Sequence, residues 1–151
     1  MPASGKTTIG RIIAQKLNRE IIDTDLLIEK DQDMTIPQIF HQFGENYFRD
    51  VETRIIKEAA AKTGTVISTG GGAVLRGENV EALKLSGRIF FIDRDPAALT
   101  PTSDRPKAFN REEIMKRYEE RYDIYVSTAD HIIKSEETAE EAAFEVLEEF
   151  K

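Results

Sequence analysis

The sequence predicts an α/β sandwich built around a mainly parallel sheet. Stretches with apolar residues at helical spacing alternate with short β-branched or aromatic runs, the pattern of strand–helix–strand units. The runs Thr65-Val66-Ile67-Ser68 and Ile89-Phe90-Phe91-Ile92 are apolar at successive positions rather than alternating, as in parallel strands covered on both faces. The chain has 151 residues, 40% of them apolar and 32% charged, so a single domain over 1–151 with one core is expected.

Each element follows from its local pattern. Ile9, Ile12, Ile13 and Leu17 make residues 6 to about 17 an amphipathic helix that starts inside a glycine-containing turn. A short strand is expected over 20–23 and a helix over 26–30. Thr35 is a suitable N-cap for a helix with Pro37 in its first turn. A longer helix over about 46–62 buries Phe48, Val51, Ile55 and Ala59. Strands are expected at 65–68, ending at Gly70-Gly71-Gly72, and at 88–93. Residues 94–110 hold three of the five prolines and few large apolar side chains, so they read as a loop with its own task. A helix over 112–125, a strand over 131–133 and a terminal helix over 139–150 complete the pattern.

Composition removes several function classes. A net charge of −7 disfavours a general nucleic-acid or acidic-membrane surface, while a local cationic pocket stays open. With no cysteine there is no disulfide, thiol nucleophile or thiolate metal site, and His41 and His131 are too far apart in sequence to form a motif. No stretch is apolar enough to cross a bilayer and no signal-peptide pattern opens the sequence, so a soluble cytoplasmic protein is expected.

In a parallel α/β sheet, ligands sit at the carboxyl ends of strands. Three segments occupy such places: Asp23-Thr24-Asp25, Gly70-Gly71-Gly72 and the loop after Asp93. Ahead of them, Ala3-Ser4-Gly5-Lys6-Thr7 matches the back half of G-x-x-x-x-G-K-[ST], whose N–H groups surround phosphates while the lysine neutralises charge and the hydroxyl reaches Mg²⁺. A Gly-Lys-Thr tripeptide by itself can be an ordinary helix start. The lysine and two hydroxyls at the head of an amphipathic helix, followed by a strand ending in acid-x-acid, weigh against coincidence.

Asp23 and Asp25, in extended geometry, leave the same face about 7 Å apart and can divide the labour. Asp23 could hold Mg²⁺ through water, and Asp25 could orient a substrate hydroxyl; either could instead cap the following helix. Arg49, placed in the first turn of its helix, opposes the macrodipole and so suggests an anionic partner, with an exposed pairing to Glu45 or Glu52 as the alternative. Three glycines after a buried strand suit close approach of a ligand to backbone, or a plain flexible turn. Arg105 lies in the 94–110 loop, where one arginine can close over a transferring phosphoryl group or simply be solvated. Arg121 stands among Arg117, Tyr118, Tyr122 and Tyr125, any of which could be a surface charge or a core aromatic.

Taken together, these segments closely resemble the shikimate kinase family, in the nucleoside-monophosphate-kinase-like branch of P-loop proteins. The matching residues are Ser4-Gly5-Lys6-Thr7-Thr8, Asp23-Thr24-Asp25, Gly44-Glu45 with Phe48-Arg49 and Glu52, Ser68-Thr69-Gly70-Gly71-Gly72, Arg105-Pro106, and Arg121 with Tyr125 and Ala129. The aspartate pair, the Phe-Arg-x-x-Glu segment and the triple glycine in this order are the specific part. The resemblance implies a three-layer α/β/α P-loop kinase fold with a mobile lid at about 95–110, and ATP-dependent phosphorylation of the 3-hydroxyl of shikimate on the way to chorismate and aromatic amino acids. It implies that Lys6 and the backbone from Ala3 to Thr8 (Ala3, Ser4, Gly5, Lys6, Thr7, Thr8) hold ATP phosphates, with Thr7 and Asp23 serving Mg²⁺. Asp25 would orient or deprotonate the attacking hydroxyl, Arg49 and Arg121 would clamp the carboxylate, Gly70, Gly71 and Gly72 would let backbone approach the ring, and Arg105 would close over ATP. Asp25, Lys6 and Arg105 would then be the catalytic residues of a monomeric enzyme whose partners are ATP and shikimate, with no nucleic acid and no membrane.

Two departures from the family pattern stand out. The lid segment carries only Arg105, with Thr100-Pro101-Thr102 where many members have a further arginine. The first glycine of the phosphate loop would fall one position before Met1, and the strand that feeds the loop is not in the sequence, so that strand's neighbours are expected to lack a pairing partner. The competing readings are another small-molecule kinase of this fold, such as a gluconate or nucleotide kinase, and a truncated binding module without activity.

Overall fold

The computed structural model describes residues 6–93, 111–134 and 138–150. Its helices are α1 (Lys6–Leu17), α2 (Thr24–Gln32), α3 (Ile36–Phe43), α4 (Glu45–Ala60), α5 (Gly77–Ser86), α6 (Arg111–Thr128) and α7 (Ala139–Phe150), and its strands β1 (Glu20–Asp23), β2 (Thr65–Ser68), β3 (Phe90–Asp93) and β4 (His131–Lys134). A 3-10 turn, Ala73–Leu75, follows the glycine run.

Both strand pairings are parallel, as the uninterrupted apolar runs predict. β1 lies in register with β2, Glu20 opposite Thr65 through Asp23 opposite Ser68, and β3 pairs with β4, Phe90 opposite His131 through Asp93 opposite Lys134. Among the described residues no ladder joins β2 to β3, so the expected sheet takes the form of two parallel ladders. A shared core holds the two together. Ile9 and Ile13 of α1, Ile92 of β3, Ile133 of β4 and Ala142, Ala143 and Val146 of α7 form one buried cluster, and Val66 of β2 packs against it.

Gly10 lets α1 sit close to the first ladder, since a Cβ there would lie 3.0 Å from Ile21 Cδ1. A second core joins α2, α3 and α4 through Ile28, Ile39, Phe48, Val51 and Ile55. It is fastened by a capping box in which Thr35 accepts from the Gln38 N–H while the Gln38 side chain accepts from the Thr35 N–H. Helix α5 escapes the periodicity analysis for a physical reason. Its fully buried residue is the polar Asn79, whose Nδ2 donates to the Ala73 carbonyl at 2.9 Å.

Candidate active site

Strand ends and helix starts converge on the glycine run that follows β2. Thr24, fully buried at the start of α2, donates its hydroxyl to the Ser68 carbonyl at 3.3 Å and so ties β1's exit to β2's exit. Beyond that tie, the chain turns helical at Thr24, so Asp23 and Asp25 do not share the face of an extended strand as expected. Asp23 is the N-cap of α2, its Oδ1 accepting from the Leu26 N–H at 3.2 Å, whereas Asp25 lies inside the first turn. The two carboxylates consequently face different partners. Asp23 Oδ2 accepts from the Thr7 hydroxyl at 3.0 Å, joining β1 to the head of α1. Asp25 reaches the glycine run, where a Cβ at Gly70 would lie 2.7 Å from its Oδ1.

Arg49 approaches the same run from α4. Because that helix starts at Glu45, Arg49 falls beyond its first turn, and the macrodipole argument gives way to a direct ion pair. Arg49 Nη1 donates to Glu52 Oε1 at 2.8 Å, and the side chains are only 12% and 1% exposed, so this is a buried pair rather than the exposed one considered from sequence. Burial pushes the Glu52 carboxyl above the usual carboxylate range, and the Arg49 guanidinium draws it part of the way back. A Cβ at Gly72 would overlap the Arg49 guanidinium outright. Gly70 and Gly72 thus let the Asp25 and Arg49 side chains come close to the run, a reason that neither sequence reading of the glycines contained. Among the described residues Arg49 Nε is buried with no acceptor.

Helix α6 supplies the third wall. Tyr125 is 5% exposed, packs on Phe91 of β3 with ring centroids 4.9 Å apart, and donates its hydroxyl to the Gly71 carbonyl at 2.7 Å. Burial raises its pKa, while the charge and hydrogen bonding of neighbouring Arg121 favour the ionised phenol. The Arg121 charge also reaches Glu52, as does that of Asp25, so Asp25, Arg49, Glu52 and Arg121 form one electrostatic cluster. Arg117, one turn before Arg121, joins it from the edge. Desolvation and then the charge of Arg121 lower its pKa, with Arg49 adding to the effect. Sequence reasoning assigned Arg117 no part, and a second arginine four residues before Arg121 is the signal that could have pointed to it.

The remaining expected residues divide. Lys6, Thr7 and Thr8 open α1, Thr7 beside Asp23. Ala3, Ser4, Gly5 and Arg105 lie outside the described residues, as does the lid at 95–110. No group of three or more His, Cys, Asp or Glu able to hold a metal comes together among the described residues, and none of their helices is long and apolar enough to cross a membrane.

A helix that opens on Lys6, Thr7 and Thr8 with Thr7 bonded to the cap of α2, together with acidic and arginine side chains gathered at the glycine run after a parallel strand, is the arrangement of a P-loop kinase. The comparisons narrow this. The sequence model of shikimate kinase matches residues 2–151. Shikimate kinase of Clostridium botulinum (strain Alaska E43 / Type E3) is 42% identical over 155 residues, covering 100% of this chain and 91% of the relative. The Clostridium beijerinckii (strain ATCC 51743 / NCIMB 8052) shikimate kinase is 44% identical over 140 residues, covering 90% and 82%. Among solved structures, shikimate kinase from Aquifex aeolicus vf5 superposes with a TM-score of 0.84 at 36% identity, covering 97% of this chain and 90% of that one. Shikimate kinase from Acinetobacter baumannii in complex with shikimate gives 0.81 at 28% identity, covering 97% and 86%. The chain belongs to the shikimate kinase family, and its chemistry is phosphoryl transfer from ATP to shikimate.

Proposed function

We propose that this chain phosphorylates the 3-hydroxyl of shikimate with Asp25 as the group that orients and deprotonates the attacking oxygen, and with Arg49 and Arg121 as the clamp on the carboxylate. The observation that carries this reading is the buried Arg49–Glu52 pair, which holds a guanidinium with an unpartnered N–H against the Gly72 backbone, beside Asp25. A ring bearing both hydroxyls and a carboxylate needs one group of each kind within reach of its two sides, and Asp25 and Arg49 sit against Gly70 and Gly72 of one short turn. Glu52 offsets part of Arg49's charge and fixes its direction, so the planar donors meet a carboxylate without first reorganising.

On the nucleotide side, Lys6 at the head of α1 neutralises phosphate charge, with the backbone of Ala3, Ser4, Gly5, Lys6, Thr7 and Thr8 as the cradle and Arg105 closing over ATP. Thr7 and Asp23 fit Mg²⁺: their oxygens lie 3.0 Å apart, both are hard donors, and one carboxylate suits a cation that keeps much of its hydration. When bound, the ion would neutralise charge on the phosphate oxygens. Transfer itself rests on holding acceptor and phosphate in line, with little covalent work for the protein. The same reading takes residues 1–151 as one domain, which the core shared by both ladders supports, and adds a lid at about 95–110 and work as a cytoplasmic monomer.

Asp25→Asn tests the assignment. Turnover should fall by roughly 10²–10⁴-fold while ATP affinity stays within about twofold, as measured by steady-state kinetics and nucleotide titration. Near-normal turnover would remove Asp25 from the mechanism.

A further inference from the structure

The three carbonyls of the glycine run are all engaged by protein donors. The Gly70 oxygen accepts from the Ala73 N–H at 3.2 Å, the Gly72 oxygen from the Leu75 N–H at 3.1 Å, and the Gly71 oxygen from the Tyr125 hydroxyl at 2.7 Å. Two of these bonds are local turns that any sequence in this conformation would form. The third reaches across the fold, linking residues 54 apart in sequence. Among the described residues, no hydrogen bond uses the N–H of Gly70, Gly71 or Gly72 as donor. The run therefore keeps its acceptors inside and leaves its donors for a ligand.

Tyr125 controls the middle of that arrangement. The chain has no cis peptide bond among its described residues, so the Gly71 carbonyl and the Gly72 N–H point in opposite directions within one rigid plane. Fixing the carbonyl fixes the N–H. Glycines have no side chain to hold such a plane, and without an anchor this peptide is free to rotate. Arg121, four residues earlier on α6, acts electrostatically on the same phenol. Packing does not require the hydroxyl, since the ring's seat on Phe91 would suit phenylalanine equally well. A buried hydroxyl is tolerated only where it is paired, and here its partner is the Gly71 carbonyl, with the Arg121 charge close by.

We propose that the Tyr125 hydroxyl is a positioning group for acceptor recognition, holding the Gly71–Gly72 peptide and the Arg121 guanidinium in one mutual geometry so that backbone donors and arginine meet the same shikimate molecule. This rests on the reading of Arg121 and the glycine run as shikimate contacts. Tyr125 does not touch the reacting atoms; it acts through its two partners.

Tyr125→Phe tests it on the full chain, with Arg121→Ala measured in parallel. Shikimate dissociation constants come from calorimetry, and KM for each substrate, kcat and the thermal midpoint are recorded. For Tyr125→Phe, shikimate binding and KM should weaken about tenfold, the scale of one lost hydrogen bond to a polar site, while kcat changes about twofold and the KM for ATP does not move. The thermal midpoint should stay within about 2–4 °C, because ring packing is retained. If Arg121→Ala loses shikimate affinity and Tyr125→Phe keeps it, the positioning role is wrong and the site reading stands. A Tyr125→Phe chain that loses thermal stability and kcat but binds shikimate normally shows a purely structural hydroxyl and also overturns the role. An Arg121→Ala chain that binds shikimate normally overturns the site reading and this inference with it.

Discussion

At the proposed acceptor end of the site, Asp25, Arg49 with Glu52, and Arg121 with Tyr125 come from three different helices and gather at a glycine run belonging to a fourth segment. At the phosphate end, Lys6, Thr7 and Thr8 are successive residues of one helix start, and Thr7 meets the cap of the next helix at Asp23. The phosphate end uses what any helix N-terminus offers, oriented N–H groups and a dipole, sharpened by a lysine and a hydroxyl. The acceptor end has no such generic device. It needs side chains brought from afar, 12% and 1% exposed in the case of the Arg49–Glu52 pair, and it draws two of them against glycines where a methyl group would displace them. Disturbing acceptor recognition should therefore leave ATP binding intact, and the two ends can be separated by mutation.

Gly72→Ala should have the largest effect on this contrast. The added methyl overlaps the Arg49 guanidinium, and either the arginine leaves its place or the run shifts. Shikimate affinity should drop by about tenfold or more with ATP affinity unchanged; equal loss of both would mean that the two ends are mechanically one. Glu52→Gln is expected to act more gently. Arg49 keeps a hydrogen-bond partner and loses a charge, so shikimate affinity should fall about fivefold. The same substitution carries a signature in stability against pH. Burial raises the Glu52 carboxyl in the folded state, so the fold holds a proton that the unfolded chain has already released. Stability from this group is complete below the ordinary carboxylate range and declines as pH rises through the raised value. Thermal unfolding across that window should show the decline in the parent chain and a flatter profile in Glu52→Gln.

The contrast also explains what the sequence made legible. Motif and periodicity are local, so α1 and the parallel strands are readable, as is the burial of Phe48, Val51, Ile55 and Ala59 in α4. The Asp-x-Asp segment was recognised, but its assignment to extended geometry failed because the Asp23 side chain caps α2 and starts the helix one residue later. Glu52 could be seen as a possible partner of Arg49, yet helical spacing cannot distinguish a solvated pair from a buried one, and only the packing of α4 decides it. The hydrogen bond from Tyr125 to Gly71 joins residues from different elements and has no local signature at all. Helix α5 was missed because its anchor is a buried amide rather than an apolar stripe.

The most direct measurement titrates shikimate and its uncharged amide against the parent chain and Arg49→Ala. If Arg49, held by Glu52 against Gly72, reads the carboxylate, the parent should prefer shikimate over the amide by about 100-fold, and Arg49→Ala should lose most of that preference, with the amide bound almost equally by both chains. An Arg49→Ala chain that still discriminates as strongly as the parent would contradict the account.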